Sequence, residues 1–117
     1  MYDIASGEMN NGKPLGEGVG PAWDLQNRII AAVAKFYKIS IKEMKRRTRK
    51  ASVAVPRQVA IYLLREMAGL SSPAIGRLFG LDHSTAIHAH QKIQRKCSID
   101  ARLDNDIQKI TDSIRRA

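Results

Sequence analysis

The sequence has few cysteines, aromatic residues and acidic side chains, and it lacks any long apolar run. Because Cys97 is the one cysteine, no disulfide can form within the chain; the fold must depend on its apolar core, and we expect a reducing compartment. No apolar run approaches the about 18 residues that a membrane span needs, and the N-terminus lacks the basic start and apolar stretch of a signal peptide. We therefore expect a cytoplasmic protein without membrane contact.

The shortage of acidic residues leaves the chain strongly basic. Twenty Lys and Arg face eleven Asp and Glu, a formal net charge of +9 at pH 7. Residues 1–24 contain four carboxylates and one lysine, a net −3, so the remaining residues carry +12. Such a charge favours a polyanionic partner, and 117 residues leave room for one domain and a tail, which excludes most multidomain enzymes.

The N-terminal segment differs in composition from the rest. Residues 5–21 are rich in glycine and contain little that could be buried, so we predict a flexible tail over residues 1–22 and a helical domain over 23–117. Residues 7–13 fit the glycine and lysine spacing of a P-loop, but Pro14 stands where a magnesium-binding Ser or Thr is needed. We therefore expect no bound nucleotide.

From Asp24 onward the apolar spacing predicts an all-α domain, because apolar residues recur every three or four positions and none alternate as in a strand. Asp24 is predicted to cap a first helix, the capping box at 40–43 to start a short one, and Pro56 to open a third that Gly69 ends. The stripes expected to be buried in the first and last helices are Leu25, Ile29, Ala32, Val33 and Phe36, and Leu103, Ile107, Ile110 and Ile114.

Residues 72–97 have the pattern of a helix-turn-helix. Ser72 and Pro73 signal the start of a helix of about two turns, Gly80 ends it, and Asp82 is placed to cap a longer helix. In this motif the first turn of the second helix enters the major groove. The small polar residues of that turn suit base contact, because a carboxylate can accept from the cytosine amino group and a threonine methyl can contact the thymine methyl. These residues are Asp82, His83, Ser84 and Thr85. The N-terminus of the helix also favours a phosphate.

A basic run precedes the third helix. Residues 42–50 hold six Lys or Arg and one Glu, so we predict a mobile loop that follows phosphates or inserts an arginine into a minor groove. An isolated basic cluster on a neutral protein is usually a solvated surface. Here the net charge, the run and the helix-turn-helix agree, and they favour DNA binding. Further positive charge comes from Arg57, Arg65, Arg77, Lys92 and Arg95.

The histidines do not form a metal site by spacing. His83, His88 and His90 fall on different faces of one helix, and Cys97 is too distant to complete a site. We expect His90 to be half-buried in packing contacts and His88 to be exposed or to face phosphate. No nucleophile with its base and no paired carboxylates emerge, so we expect neither catalysis nor a metal or other cofactor.

Three segments carry a family resemblance: VPRQVA at 55–60, SPAIG at 72–76 and DHSTAIHAHQKI at 82–93. Together they resemble the C-terminal DNA-binding domain of the DnaA family of bacterial replication initiators, over about residues 25–114. The resemblance implies a small multi-helix domain of the TrpR-like, DnaA C-terminal type, standing alone without the ATPase module. It implies binding of double-stranded DNA at TTATCCACA-like boxes in replication initiation or its regulation, on the nucleoid of a bacterium or by a phage or plasmid product.

The resemblance also implies roles for individual residues. Arg49 matches the minor-groove arginine, with Arg47 as the competing choice, and the first turn at 82–85 matches the major-groove readers. Arg57 and Gln58 match base and phosphate contacts, while Arg65, Ser72 and Pro73 match backbone contacts. The predicted DNA-binding set is Lys45, Arg46, Arg47, Arg49, Arg57, Gln58, Arg65, Ser72, Pro73, Asp82, His83, Ser84, Thr85 and Lys92.

Two other interpretations remain open. A small repressor or phage-encoded regulator could compete for the same boxes. Alternatively, a protein-interaction module could retain the fold without base readout, with a protein partner that the sequence does not identify.

Overall fold

The computed structural model describes residues 21–116, with side chains from Asp24 onward, and this part of the chain is all-α, as predicted. It contains no strand between those limits. The predicted tail lies outside the described residues except for Pro21 and Ala22, which already belong to the first helix. The helices are α1 (Pro21–Tyr37), α2 (Ile41–Met44), α3 (Ala51–Ala68), α4 (Ser72–Phe79), α5 (His83–Ile99) and α6 (Ala101–Arg116).

The core forms around α3, which packs against α1, α2, α4 and α5, while α6 closes the domain against α1 and α5. The predicted stripe of α6 is confirmed, since its four apolar residues are all buried. The stripe of α1 is only partly correct. Ile29 and Val33 are fully buried, but Ile30 and Ala34 are buried as well, and Phe36 is 36% exposed.

Several helix boundaries match the prediction. The hydroxyl of Ser40 accepts a hydrogen bond from the Glu43 amide at 2.9 Å, and α2 follows at once. Gly69 and Gly80 end α3 and α4 with φ angles of 65° and 66°. Glycine suits both positions because this left-handed conformation brings the Cβ of other residues against the backbone.

The predicted start of α3 at Pro56 is wrong. The Lys50 carbonyl accepts hydrogen bonds from the Val53 and Ala54 amides, so the helix begins at Ala51 and Pro56 lies in its second turn. A proline there has no amide to donate to the carbonyl four residues earlier, and α3 accommodates that loss in its second turn. The basic segment before α3 is correspondingly shorter.

Two capping assignments need correction, those of Asp24 and Asp82, whereas the predicted start of α4 is confirmed. Asp24 lies inside the first turn of α1 and forms an ion pair with Arg28 at 3.6 Å, so it is not the cap. The helix α4 begins at Ser72, as predicted, and the preceding residue, Ser71, caps it by accepting a hydrogen bond from the Ala74 amide. Asp82 occupies the N-cap position of α5, but its side chain makes no capping hydrogen bond.

The turn between α4 and α5 is closely packed. The Leu81 amide donates to the Gly76 carbonyl at 2.8 Å, and a Cβ on Gly76 would lie 2.5 Å from the Leu81 carbonyl oxygen. No ordinary side chain fits at position 76 without moving backbone. The absence of a side chain at Gly76 therefore sets how closely the start of α5 approaches α4.

Candidate nucleic-acid interface

The first turn of α5 is open to solvent on a helix that is otherwise anchored. Ala86, Ala89 and Ile93 are buried against the core, so this face fixes α5 in place. The backbone amides at the start of α5 have no side-chain cap, and such amides together with the helix dipole attract anions. The four predicted base readers, Asp82, His83, Ser84 and Thr85, are all exposed.

The basic loop, residues 45–50, connects α2 to α3. Its five cationic side chains are exposed. One Nη2 hydrogen of Arg47 is donated to the Gly80 carbonyl oxygen at 2.9 Å, which joins the loop to the turn between α4 and α5. The loop and the first turn of α5 therefore belong to one continuous surface.

Arg57 lies behind the basic loop and contacts its backbone. Its Nη1 donates to the Arg46 carbonyl at 2.6 Å and its Nη2 to the Thr48 carbonyl at 3.1 Å. Partial burial lowers the pKa of the Arg57 guanidinium from its usual value. The structure thus engages Arg57 within the protein, whereas the resemblance implied base or phosphate contact.

A groove of about 180 Å³ lies between α3 and α5. Arg57 and Gln58 line one side, and Thr85 and Lys92 line the other, so four of the predicted residues meet there. His88, which is exposed as expected, also lines this groove and was absent from the predicted set. Its position three residues after Thr85 places it on the same helix face, and this spacing was the signal that could have identified it.

Three of the predicted residues outside this groove lie around the connection between α3 and α4. Arg65 is exposed near the end of α3, and its Nη1 contacts the Leu70 carbonyl at 3.5 Å. Ser72 is half-buried and Pro73 exposed in the first turn of α4. All three therefore belong to the end of α3 or the first turn of α4.

A contact that the sequence analysis did not anticipate ties α5 to α3. The Nε2 atom of His90 lies 2.7 Å from Oε2 of Glu66, and the imidazole stacks on the ring of Tyr62 at a centroid distance of 5.2 Å. His90 is half-buried, as predicted. Tyr62 and Glu66 are four residues apart on α3, so the sequence predicts that they share one face of that helix. It does not predict that α5 packs against this face.

Within residues 21–116, no helix is both long and apolar enough to cross a membrane. The same part of the chain contains no group of three or more His, Cys, Asp or Glu side chains arranged to hold a metal ion.

Comparison with known proteins agrees with this geometry. The family model described as the bacterial dnaA protein helix-turn-helix matches residues 26–93. The chain is 44% identical over 85 residues to the chromosomal replication initiator protein DnaA of Levilactobacillus brevis, covering 72% of this chain and 19% of that protein. The same-named proteins of Thermoanaerobacter sp. (strain X514) and Caldanaerobacter subterraneus subsp. tengcongensis are 41% identical over 83 residues, covering 71% of this chain and 19% of each.

The chain therefore spans about a fifth of the length of these relatives. The family match covers more than half of the chain and includes the basic loop, the turn and the exposed start of α5. On this evidence the chain belongs to the family of bacterial DnaA helix-turn-helix domains.

Proposed function

We propose that the chain binds double-stranded DNA at DnaA-box-like sequences and acts in replication initiation or its regulation, on the bacterial nucleoid in the cytoplasm. The first turn of α5 reads bases in a major groove, and the basic loop reaches the adjacent minor groove. The observation that carries the proposal is the hydrogen bond from Arg47 to the Gly80 carbonyl, because it brings the loop and the helix-turn-helix together. Neither element alone would cover two adjacent grooves.

Arg49 is the better candidate for the minor groove. The Arg47 guanidinium is engaged with Gly80. The exposed Arg49 side chain makes no hydrogen bond or ion pair within the part of the chain that the structure describes. An arginine inserted into a narrow minor groove must release such contacts first, so an unengaged side chain has less to lose.

The remaining cations suit phosphate contact. Lys45, Arg46 and Lys92 are exposed around the same surface, and the uncapped start of α5 adds backbone amides. Phosphate contacts position a protein on the duplex without discriminating sequence. Base readout then depends on the side chains of the first turn of α5 and on Arg49.

The test is a titration of a labelled TTATCCACA duplex and a scrambled duplex at several salt concentrations. If about six phosphates are neutralised, log affinity falls with log salt at a slope of about −5. We expect the box to be preferred by at least about 100-fold. Equal affinity for both duplexes would refute sequence-specific binding and favour an interaction module.

A further inference from the structure

We infer that Arg57 is a positioning residue: through its hydrogen bonds to loop carbonyls, it holds the basic loop in the place from which Arg49 reads DNA. The inference deepens the proposed function and rests on it for its consequence at DNA. The hydrogen-bond geometry on which it stands is independent of any ligand.

The basic loop needs such a support. It carries five cations within six residues and lies outside the helices, so mutual repulsion disfavours any one compact arrangement. Only Thr48 is half-buried there, so apolar burial contributes little to fixing the loop. A donor that binds loop carbonyls can therefore contribute to defining its path, beside the contacts of Arg47 and Thr48.

Arg57 supplies two donors in a rigid fork. Its two terminal nitrogens bind the carbonyls of Arg46 and Thr48, residues two apart in the loop. A planar guanidinium holds two acceptors in a fixed relative position, whereas a lysine ammonium on its flexible stem acts as a single point charge. The charge of Arg57 and the geometry of its fork can therefore be separated by substitution.

Further contacts fix the backbone on both sides of Arg49. The Thr48 carbonyl is held by Arg57, and the Thr48 hydroxyl accepts a hydrogen bond from the Lys50 amide at 3.3 Å. The Lys50 carbonyl accepts from the first amides of α3. Arg49 thus projects from a segment anchored before and after it, while Arg47 links the same loop to Gly80.

The experiment compares the Arg57→Lys variant with an Arg115→Lys control in the full chain. Both substitutions keep the charge, and Arg115 is exposed on α6. Circular dichroism first establishes that each variant is folded. Affinity for box and scrambled duplexes is then measured over a salt series, and trypsin cleavage within the loop is followed without DNA.

We expect Arg57→Lys to lower the preference for the box by about tenfold, with affinity for scrambled DNA and the salt slope unchanged. Trypsin should cleave the loop about tenfold faster, because the loop opens more readily once the fork is lost. Arg115→Lys should change neither. If Arg57→Lys folds poorly, the Arg57→Gln and Arg115→Gln pair repeats the comparison without the charge.

Each other result would overturn the inference. A lower box preference with unchanged cleavage would mean that Arg57 reads DNA directly. Faster cleavage with unchanged preference would mean that loop position does not control readout, and no change in either would remove the support role. If the unsubstituted chain shows no box preference, the proposed function fails, whereas the cleavage comparison still decides whether Arg57 supports the loop.

Discussion

The imidazole Nε2 of His90 lies 2.7 Å from the Glu66 carboxylate, which joins helix α5 to the central helix α3. The His90 side chain is 16% exposed and that of Glu66 48% exposed, so water competes only partly for this contact. Stacking on Tyr62 limits the rotation of the ring. The position of α5 on the core therefore depends on a polar contact as well as on apolar burial.

A double-mutant cycle with Glu66→Gln and His90→Gln should give a coupling of about 1 kcal/mol in the free energy of unfolding. Urea denaturation of the four proteins measures it. The matched control is the exposed Glu43–Arg46 pair, at 3.1 Å, for which we expect a coupling of at most about 0.5 kcal/mol. Equal coupling energies for the two pairs would show that the partial burial of His90 does not strengthen its contact with Glu66.

Thr85 and Lys45 should separate base readout from phosphate contact. Thr85→Ala removes an exposed side chain from the first turn of α5 and should cost about 1–3 kcal/mol on the box and little on scrambled DNA. Lys45→Ala should weaken binding to both duplexes about equally and reduce the salt slope by about 1. The reverse pattern in the same titrations would exchange the two roles.

Tyr37→Phe should stabilise the protein. The buried Oη of Tyr37 has no hydrogen-bond partner among the described residues, so folding removes it from water without compensation. We expect the free energy of unfolding to rise by about 1 kcal/mol, measured by urea denaturation. Tyr62→Phe is the control, because its hydroxyl is not one of the buried unpartnered groups. If Tyr37→Phe lowers the free energy of unfolding more than the control does, the Oη of Tyr37 makes a hydrogen bond in the native state.

Tyr37 should also make the fold sensitive to alkaline pH. Burial, aided by the charges of Asp106 and Cys97, raises the pKa of Tyr37 from 10.0 to about 12. Between these values the unfolded chain has released the phenol proton while the native chain retains it, so stability is complete below pH 10 and falls as pH rises toward 12. Urea midpoints across that range should fall more steeply in the unsubstituted chain than in Tyr37→Phe. If the urea midpoints of the two proteins fall in parallel, the Tyr37 phenol is exposed to solvent in the native state.

Gly76→Ala should disturb the turn between α4 and α5. The new Cβ would lie 2.5 Å from the Leu81 carbonyl oxygen, so backbone must shift, at a cost of about 1–3 kcal/mol of stability. Because the shift changes how α5 leaves the turn, box preference should fall as well. Gly69→Ala is the control: it carries conformational strain but meets no atom within 4 Å and lies before α4. Box preference retained in Gly76→Ala would show that the turn tolerates the shift.

Much of the fold was predictable because local signals agreed with burial. The stripe of α6, the cap at Ser40 and the two glycine stops each depend on residues close together in the sequence. The predicted start of α3 was wrong because Pro56 was interpreted as a first-turn marker, whereas the helix accommodates it in its second turn. Asp82 and the adjacent serines at 71 and 72 show that residue type alone does not decide which side chain turns back to cap a helix.

The exposure of the candidate surface was predictable from the sequence, but the contacts that link its parts were not. The sequence identified an exposed first turn of α5 and a basic loop, and the structure places them on one surface. It could not identify the use of Arg57, because the carbonyls that Arg57 binds are brought to it only by the packing of α2 and α3. Nor could it distinguish Arg47 from Arg49, since the Gly80 carbonyl is 33 residues from Arg47.

The fork of Arg57 has a thermodynamic consequence for association. Immobilising a backbone residue costs about 1–2 kcal/mol in lost conformational entropy, and a flexible loop incurs that cost when it binds its partner. If Arg57 supports the basic loop as proposed, the loop takes its path when the domain folds, and less conformational entropy is lost when the domain binds a duplex.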